Sequence, residues 1–136
     1  MSTEIIQPPD WVRPRGYSNG IVAEGRVLAI GGQIGWNAEQ VFECHDFAGQ
    51  FDQTLANIRA VIDTAGARPE DVIRMTIYVT DLDAYRGSLA ELGPIWKRHF
   101  GRWYPAMALV GVTGLVEPEA LLEIETLAVL SEKEST

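Results

Sequence analysis

The chain has 136 residues, of which 46% are hydrophobic and 22% charged, which is typical of one globular domain with a real core. Its formal net charge of −8 argues against a nucleic-acid partner, because phosphate binding depends on an excess of lysine and arginine. The single cysteine excludes an intramolecular disulfide, and the sequence shows neither a signal peptide nor an apolar run of about 20 residues, so we expect a cytoplasmic protein without a membrane partner.

The first thirty residues are predicted to form an arm and a hairpin. Residues 1–14 contain three prolines and show no periodicity, which favours an extended N-terminal arm. Residues 21–23 and 26–30 are two apolar runs separated by the dipeptide Glu24-Gly25. This pattern predicts a β-hairpin with a tight turn.

The middle of the chain contains the clearest helix. Residues 46–65 carry apolar side chains at steps of three and four, which places them on one helix face. Asp46 is suited to cap the start of this helix, and Gly66 stands where a C-terminal glycine belongs. After a turn, residues 72–80 alternate between apolar and polar side chains, which predicts a half-buried strand.

The last third of the chain is predicted to hold a second helix and two closing strands. The helix covers residues 83–100, and the dipeptide Gly93-Pro94 should bend or split it, because proline lacks a helix donor and clashes with the preceding turn. Residues 106–112 and 121–130 read as strands, and the polar residues 131–136 as a frayed tail.

The order of these elements predicts an α+β fold in which two helices cover one face of a mixed sheet. The closing strands carry apolar residues at both odd and even positions, so two helices do not cover all of them. The remaining apolar face predicts burial against partner subunits.

Four short segments resemble the RidA/YjgF family of small trimeric proteins. They are Arg-Gly-Tyr-Ser-Asn-Gly (residues 15–20), Gly-Gly-Gln (31–33), Tyr-Pro-Ala-Met (104–107) and Glu-Ile-Glu (123–125). The resemblance covers residues 15–130 and implies a single domain with a chorismate-mutase-like fold, built on a six-stranded, mainly antiparallel sheet. It further implies a homotrimer that binds a small molecule in clefts between subunits, hydrolyses enamines or imines, and needs no cofactor.

Two residues are candidates for catalysis. Glu123 stands on a strand that is otherwise apolar, where burial disfavours the charged form of a carboxylate and prepares it for proton transfer. The resemblance implies that this carboxylate holds the attacking water. Tyr17 matches a tyrosine that lines the family's cleft, and its phenol can donate a hydrogen bond. A solvated or ion-paired role for Glu123 and a turn-anchoring role for Tyr17 remain open alternatives.

Five further residues are candidates for substrate binding. Met107 stands where the family's deaminases carry the arginine that grips the substrate carboxylate, and a thioether cannot replace that bidentate pair. Gly31 replaces a serine that touches substrate, and Leu109 matches a main-chain contact. Trp36 is predicted as an aromatic wall or a core residue, and Arg15 either compensates for the lost arginine or is simply solvated.

These departures predict a pocket that is more apolar and roomier than the pocket of the family members that hydrolyse imines derived from amino acids, so a small 2-iminocarboxylate is not the expected ligand. The first hypothesis is therefore a deaminase-like hydrolase with a larger unsaturated substrate. A non-catalytic metabolite-binding trimer is the alternative, and endoribonuclease activity, ascribed to some family members, is disfavoured by the net charge of −8. No spacing of cysteine, histidine and acidic residues indicates a metal site.

Overall fold

The structure is a computed structural model that describes residues 3–131. The predicted arm and tail therefore each extend beyond the described part of the chain. No helix within that part is long and apolar enough to cross a membrane. The elements in chain order, besides a short 3-10 turn at Pro69–Asp71, are β1 (Glu4–Ile6), β2 (Gly20–Val22), β3 (Arg26–Ile34), α1 (Phe47–Ala65), β4 (Val72–Val79), α2 (Leu82–Gly87), α3 (Leu89–Phe100), β5 (Ala106–Gly111) and β6 (Leu122–Leu130).

The α+β class is confirmed, but the six strands form two sheets where one six-stranded sheet was predicted. The main sheet has the order β3-β6-β4-β5, with β6 antiparallel to both of its neighbours and β5 parallel to β4. The strands β1 and β2 form a separate antiparallel pair. The arm thus contains a strand, and that strand ties it to the segment that leads into the domain.

The predicted hairpin is wrong, because β2 pairs with β1 and β3 pairs with β6. Gly25 explains the change of partner. It has a φ of +145°, and a side chain there would place its Cβ 1.9 Å from the carbonyl oxygen of Leu130. The backbone thus passes directly against the end of β6, which brings Arg26 into register with Leu130 instead of turning it back along β2.

The helix α1 is confirmed with its caps. The Asp46 carboxylate accepts a hydrogen bond from the Gly49 amide at 3.2 Å, and Gly66 ends the helix in the left-handed conformation with a φ of 76°. The predicted stripe is buried against the sheet. Its members are Phe47, Phe51, Leu55, Ile58 and Ile62.

The second helical region is split, but not at Gly93-Pro94, where the split was predicted. The break falls at Ser88, between α2 and α3, and α3 continues through Pro94. The proline leaves the Ala90 carbonyl without its helical donor. Because Ala90, Gly93 and Pro94 are all exposed, water can donate to that carbonyl in its place, and the helix is not forced to end.

The core lies between the helices and one face of the main sheet. Met75, Ile77 and Val79 of β4 face the helices, as do Leu122 and Ile124 of β6, and all five are buried. The opposite face, here called the open face, carries the other parity of the same strands. Its central residues are Arg74, Thr76, Tyr78, Glu123 and Glu125.

The open face is more polar than the sequence predicted. Exposed aliphatic side chains, Val27 and Val110, lie on its outer strands, while polar groups occupy its centre. Burial of this face against partner subunits therefore remains a prediction, and any such interface has to accommodate charged groups.

A polar contact fixes α3 against α1. The Asp52 carboxylate accepts hydrogen bonds from His99 at 2.6 Å and from Arg98 at 3.1 Å. Desolvation alone would raise the pKa of Asp52, but the hydrogen bonds from His99 and Arg98 outweigh it and lower that pKa below its ordinary value. This contact holds the helix that forms one wall of the cleft described next.

Candidate functional site

An apolar cleft of ≈ 430 Å³ lies between β5, the helices α2 and α3, and the segment that precedes β2. Four of the sequence-predicted residues line it, namely Arg15, Tyr17, Met107 and Leu109. The rest of the lining is largely aromatic and aliphatic, and it includes Tyr85, Leu89, Leu92, Trp96 and Tyr104.

The floor of the apolar cleft is set by the register of β5. Met107 is paired with Met75 and Leu109 with Ile77, so both side chains lie on the helix-covered face of the sheet. Both are half-buried and pack against the core. Met107 therefore presents its thioether to the cleft at the position where the resemblance places a guanidinium.

The aromatic wall of the apolar cleft is rigidly held. The Trp96 ring stacks on Phe100 with centroids 4.6 Å apart and lies parallel to Tyr104 at 6.0 Å. Its indole N–H donates to the Trp103 carbonyl at 3.0 Å. Because stacking and a hydrogen bond fix this ring, the cleft offers a preformed planar surface.

Tyr17 is positioned by its neighbours. Ser18 is buried, its amide donates to the Pro105 carbonyl at 3.0 Å and its hydroxyl donates to the Tyr104 carbonyl at 2.6 Å. The Tyr17 side chain itself is 44% exposed, and its hydroxyl has no hydrogen-bond partner among residues 3–131. The segment is thus anchored through Ser18, which leaves the phenol free to bind a ligand.

Glu123 lies on the other side of the sheet. It is paired with Tyr78 on β4, on the open face, and does not line the apolar cleft. Its side chain is half-buried, and its carboxylate accepts no hydrogen bond from any described residue. A free, partly buried carboxylate is well suited to bind a water molecule.

A bulge in β3 makes room for this carboxylate. The register of β3 against β6 shifts between Ile30 and Gln33, at the two glycines. A Cβ on Gly32 would lie 2.0 Å from Oε2 of Glu123, whereas a Cβ on Gly31 would meet nothing within 4 Å. The two glycines thus form a β-bulge, and Gly32, which was not among the predicted site residues, is the glycine that leaves room for the Glu123 side chain.

The two glycines provide a matched pair of variants. We expect Gly32→Ala to displace the Glu123 carboxylate, because the flexible end of that side chain yields more easily than backbone, and we expect Gly31→Ala to leave it in place. Crystal structures of the two variants check this expectation. An unmoved carboxylate in Gly32→Ala, or an equal displacement in both variants, would contradict the role assigned to Gly32.

Tyr78 and Glu125 form a polar pair beside Glu123 on the open face. The Tyr78 hydroxyl donates to the Glu125 carboxylate at 2.5 Å, and this hydrogen bond raises the pKa of Tyr78 above its ordinary value. Glu125 also lines a shallow depression together with Arg74 and Gly31. The Glu125 carboxylate is thus engaged by a neighbouring side chain, in contrast to that of Glu123.

Trp36, the last of the predicted site residues, packs within its own chain. Its ring packs on Phe42 with centroids 5.8 Å apart, and its carbonyl accepts a hydrogen bond from the Asn57 side chain at 2.7 Å. It lies between β3 and α1 and does not line the apolar cleft. Within one chain Trp36 thus packs against the fold, which was the second of its two sequence interpretations.

One chain therefore carries two separated groups of candidate residues. The apolar cleft holds Tyr17 and Met107 on the helix-covered face, and the open face holds Glu123 above Gly32. The sheet itself stands between them. No group of three histidine, cysteine or acidic side chains within residues 3–131 is arranged to hold a metal ion.

Comparison with known proteins gives consistent matches over nearly the whole chain. The family model described as endoribonuclease L-PSP matches residues 12–130. A RutC family protein from Aquifex aeolicus is 34% identical over 128 residues, covering 93% of this chain and 98% of that protein. A Dermatophagoides farinae protein named 2-iminobutanoate/2-iminopropanoate deaminase is 27% identical over 127 residues, covering 93% and 95%.

The solved structures agree with the sequence matches. A protein of the conserved Rid protein family from Yersinia pestis superposes with a TM-score of 0.85 at 35% identity, covering 96% of this chain and 100% of that chain. A Mycobacterium tuberculosis member of the YjgF/YER057c/UK114 family superposes with a TM-score of 0.63 at 33% identity, covering 85% and 87%. The chain belongs to the RidA/YjgF family.

Proposed function

We propose that the protein hydrolyses an apolar, unsaturated amine or imine and releases ammonia, at sites formed between neighbouring subunits of a homotrimer. The observation that carries the proposal is the free carboxylate of Glu123, held above Gly32 on a face that the apolar cleft of its own chain does not reach. A neighbouring subunit in a closed ring can bring its apolar cleft to that carboxylate, because each subunit then offers two different surfaces.

The chemistry follows from the groups that would meet. The Glu123 carboxylate accepts a proton from a water molecule as the water oxygen bonds to the C=N carbon of the substrate. The substrate reacts as its protonated imine, so this addition gives a neutral carbinolamine, and an N–H of that carbinolamine can donate a hydrogen bond to the Tyr17 hydroxyl oxygen. Glu123 returns its proton to the nitrogen, and as the C–N bond breaks the proton of the new hydroxyl passes to the Glu123 carboxylate. The products are ammonia and a carbonyl compound, and Glu123 then releases its proton to solvent.

The lining of the apolar cleft defines the substrate class. Among residues 3–131, the only charged side chain that lines it is Arg15, which is exposed. The floor of the cleft is formed by Met107 and Leu109 and its wall by Trp96. Such a surface favours a substrate with a ring-sized apolar body and gives no bidentate partner to a carboxylate beside the imine. The mite relative named as an iminobutanoate/iminopropanoate deaminase thus supports the reaction type but not the same substrate.

The proposal is tested by the substrate preference of the wild type and of Met107→Arg. We expect the wild type to accelerate ammonia release from the imine of phenylacetaldehyde, formed in situ by an amine oxidase, and to act at least about 10-fold less well on 2-iminobutanoate. Met107→Arg should gain about 10-fold on 2-iminobutanoate, because a guanidinium there restores a carboxylate partner.

Spontaneous hydrolysis and the inert substitution Met107→Leu are the controls for this experiment. Ammonia release by the wild type at the spontaneous rate from both imines would contradict the proposed hydrolase. A wild-type preference for 2-iminobutanoate, or an unchanged preference in Met107→Arg, would contradict the assignment of Met107 as the determinant of the substrate class.

A further inference from the structure

A second cleft adjoins the apolar cleft and has a different chemistry. It has a volume of ≈ 800 Å³ and lies beneath the N-terminal arm, against the end of α3 and the loop that follows it. Three cations, Arg13, Lys97 and Arg102, line it together with Trp11 and Trp103. We propose that this arm cleft binds the anionic end, a carboxylate or phosphate, of an elongated ligand whose apolar body lies in the apolar cleft.

The arm cleft carries positive charge in a chain that is acidic overall. The chain has 19 aspartate and glutamate residues and 11 lysine and arginine residues. No aspartate or glutamate in the described part of the chain lines either cleft. Arg13, Lys97 and Arg102 are exposed and form no salt bridge with any described residue. Uncompensated cations in a concave site of an acidic protein concentrate anions there.

The apolar cleft and the arm cleft are connected. Gly16, Tyr17 and Tyr104 line both clefts, so the two spaces meet at these residues. Arg15 lines the apolar cleft on the same segment. A ligand that fills the apolar cleft therefore has a direct route past Tyr17 toward the three cations, which fits an elongated molecule with its charge remote from its apolar body.

The walls of the arm cleft are preorganised by strand pairing and hydrogen bonds. The arm is held by the pairing of β1 with β2 and by the Asn19 side chain, which donates to Gln7 at 2.7 Å. On the other wall, the Trp103 indole N–H donates to the Val72 carbonyl at 2.7 Å. Fixed walls reduce the entropic cost of ligand binding.

The side-chain types of the arm cleft specify the anion. Guanidinium groups match the planar geometry of a carboxylate or phosphate and bind it through paired hydrogen bonds. Trp11 is 60% exposed and borders the same space as Arg13. An exposed indole beside a guanidinium can also stack on a flat, conjugated part of the ligand next to its anionic group.

Calorimetric titration of the intact protein tests the proposal. The probes are 4-(2-naphthyl)butanoate, 2-(2-naphthyl)ethyl phosphate and the neutral amide of the first compound. We expect the wild type to bind at least one of the two anions about 10-fold more tightly than the amide at low salt. The double variant Arg13→Gln/Arg102→Gln should lose that advantage while its affinity for the amide changes less than about two-fold.

Arg26→Gln is the matched control, since Arg26 is an exposed cation that lines neither cleft. Equal affinity of the wild type for the anions and the amide would overturn the proposal. So would an anion preference that survives in the double variant or is lost equally in Arg26→Gln. The proposal rests on the proposed function only in taking the bound molecule to be the substrate, and probe binding needs no turnover, so a failed hydrolysis assay and a failed titration are distinguishable.

Discussion

Replacement of Glu123 by glutamine is expected to reduce the rate of imine hydrolysis about 1000-fold, since removal of a positioned general base has effects of this order. The substitution keeps the shape of a half-buried side chain that makes no hydrogen bond to any described residue, so the fold should be unaffected. The measurement is kcat/KM for ammonia release from the apolar imine, compared with the spontaneous rate. The loss should appear in kcat more than in KM, because the carboxylate acts on the attacking water.

Glu125→Gln is the control for this experiment. Glu125 lies two residues away on the same face of β6, and its carboxylate is already engaged by the Tyr78 hydroxyl. Because a glutamine oxygen can still accept that hydrogen bond, we expect less than about a 10-fold loss of rate in this variant. Equal losses in the two variants would show that charge on the open face matters, and not the position of Glu123.

The largest effect on stability is expected from Gln50→Leu. Gln50 lies on α1, is 0% exposed and satisfies three groups of the surrounding backbone. Its amide nitrogen donates to the carbonyls of Cys44 at 3.1 Å and Glu119 at 2.9 Å, and its oxygen accepts from the Leu121 amide at 2.8 Å. This one side chain thus joins the loop before α1 to the loop that leads into β6.

Leucine has a similar size but cannot replace these hydrogen bonds. We expect Gln50→Leu to lower the free energy of unfolding by about 3 kcal/mol, because buried backbone groups lose their partners. Urea denaturation at a fixed protein concentration measures the change. Gln53→Leu on the same helix is the matched control. Within residues 3–131 the Gln53 side chain donates only to the Asn57 side chain, so this substitution should cost less than about 1 kcal/mol. A similar loss in both variants would contradict the role of Gln50.

The parts of the fold that could be predicted are those governed by local pattern. The helix α1 has an uninterrupted stripe from Phe47 to Ile62, a capping aspartate and a terminal glycine, so its ends were predictable. The strand β4 alternates cleanly and lies in the middle of the sheet, where one face is buried. In both elements the local preference and the tertiary burial agree.

The predictions of the fold were wrong where the structure of a segment depends on contacts with residues distant in sequence. Nothing local indicates that β2 pairs with Glu4–Ile6 instead of with β3, because that choice depends on the close approach of Gly25 to Leu130. Likewise, the exposure of Pro94 decides that α3 continues through it, and exposure is a property of the packed structure.

The arrangement of the candidate site residues could not be predicted from the sequence. The sequence segments named Tyr17, Met107 and Glu123, but the separation of Glu123 from the apolar cleft follows only from the register of β6 and β4. Gly32 and Gln50 were missed, since their importance lies in a contact with Glu123 and in buried hydrogen bonds to distant loops. Adjacent glycines gave a signal for the bulge, whereas a lone glutamine in a helix gives none.

Co-assembly of two variants provides the most direct measurement of whether Glu123 acts on the cleft of a neighbouring subunit in the proposed homotrimer. Glu123→Gln and Tyr17→Ala chains are co-expressed with different tags, and assemblies containing both are purified and assayed. We predict about one third of the wild-type activity, because a closed ring of three subunits that contains both variants has one interface with two intact halves. Mixed assemblies that are as inactive as their parents, or a protein that forms no such assemblies, would contradict the shared site.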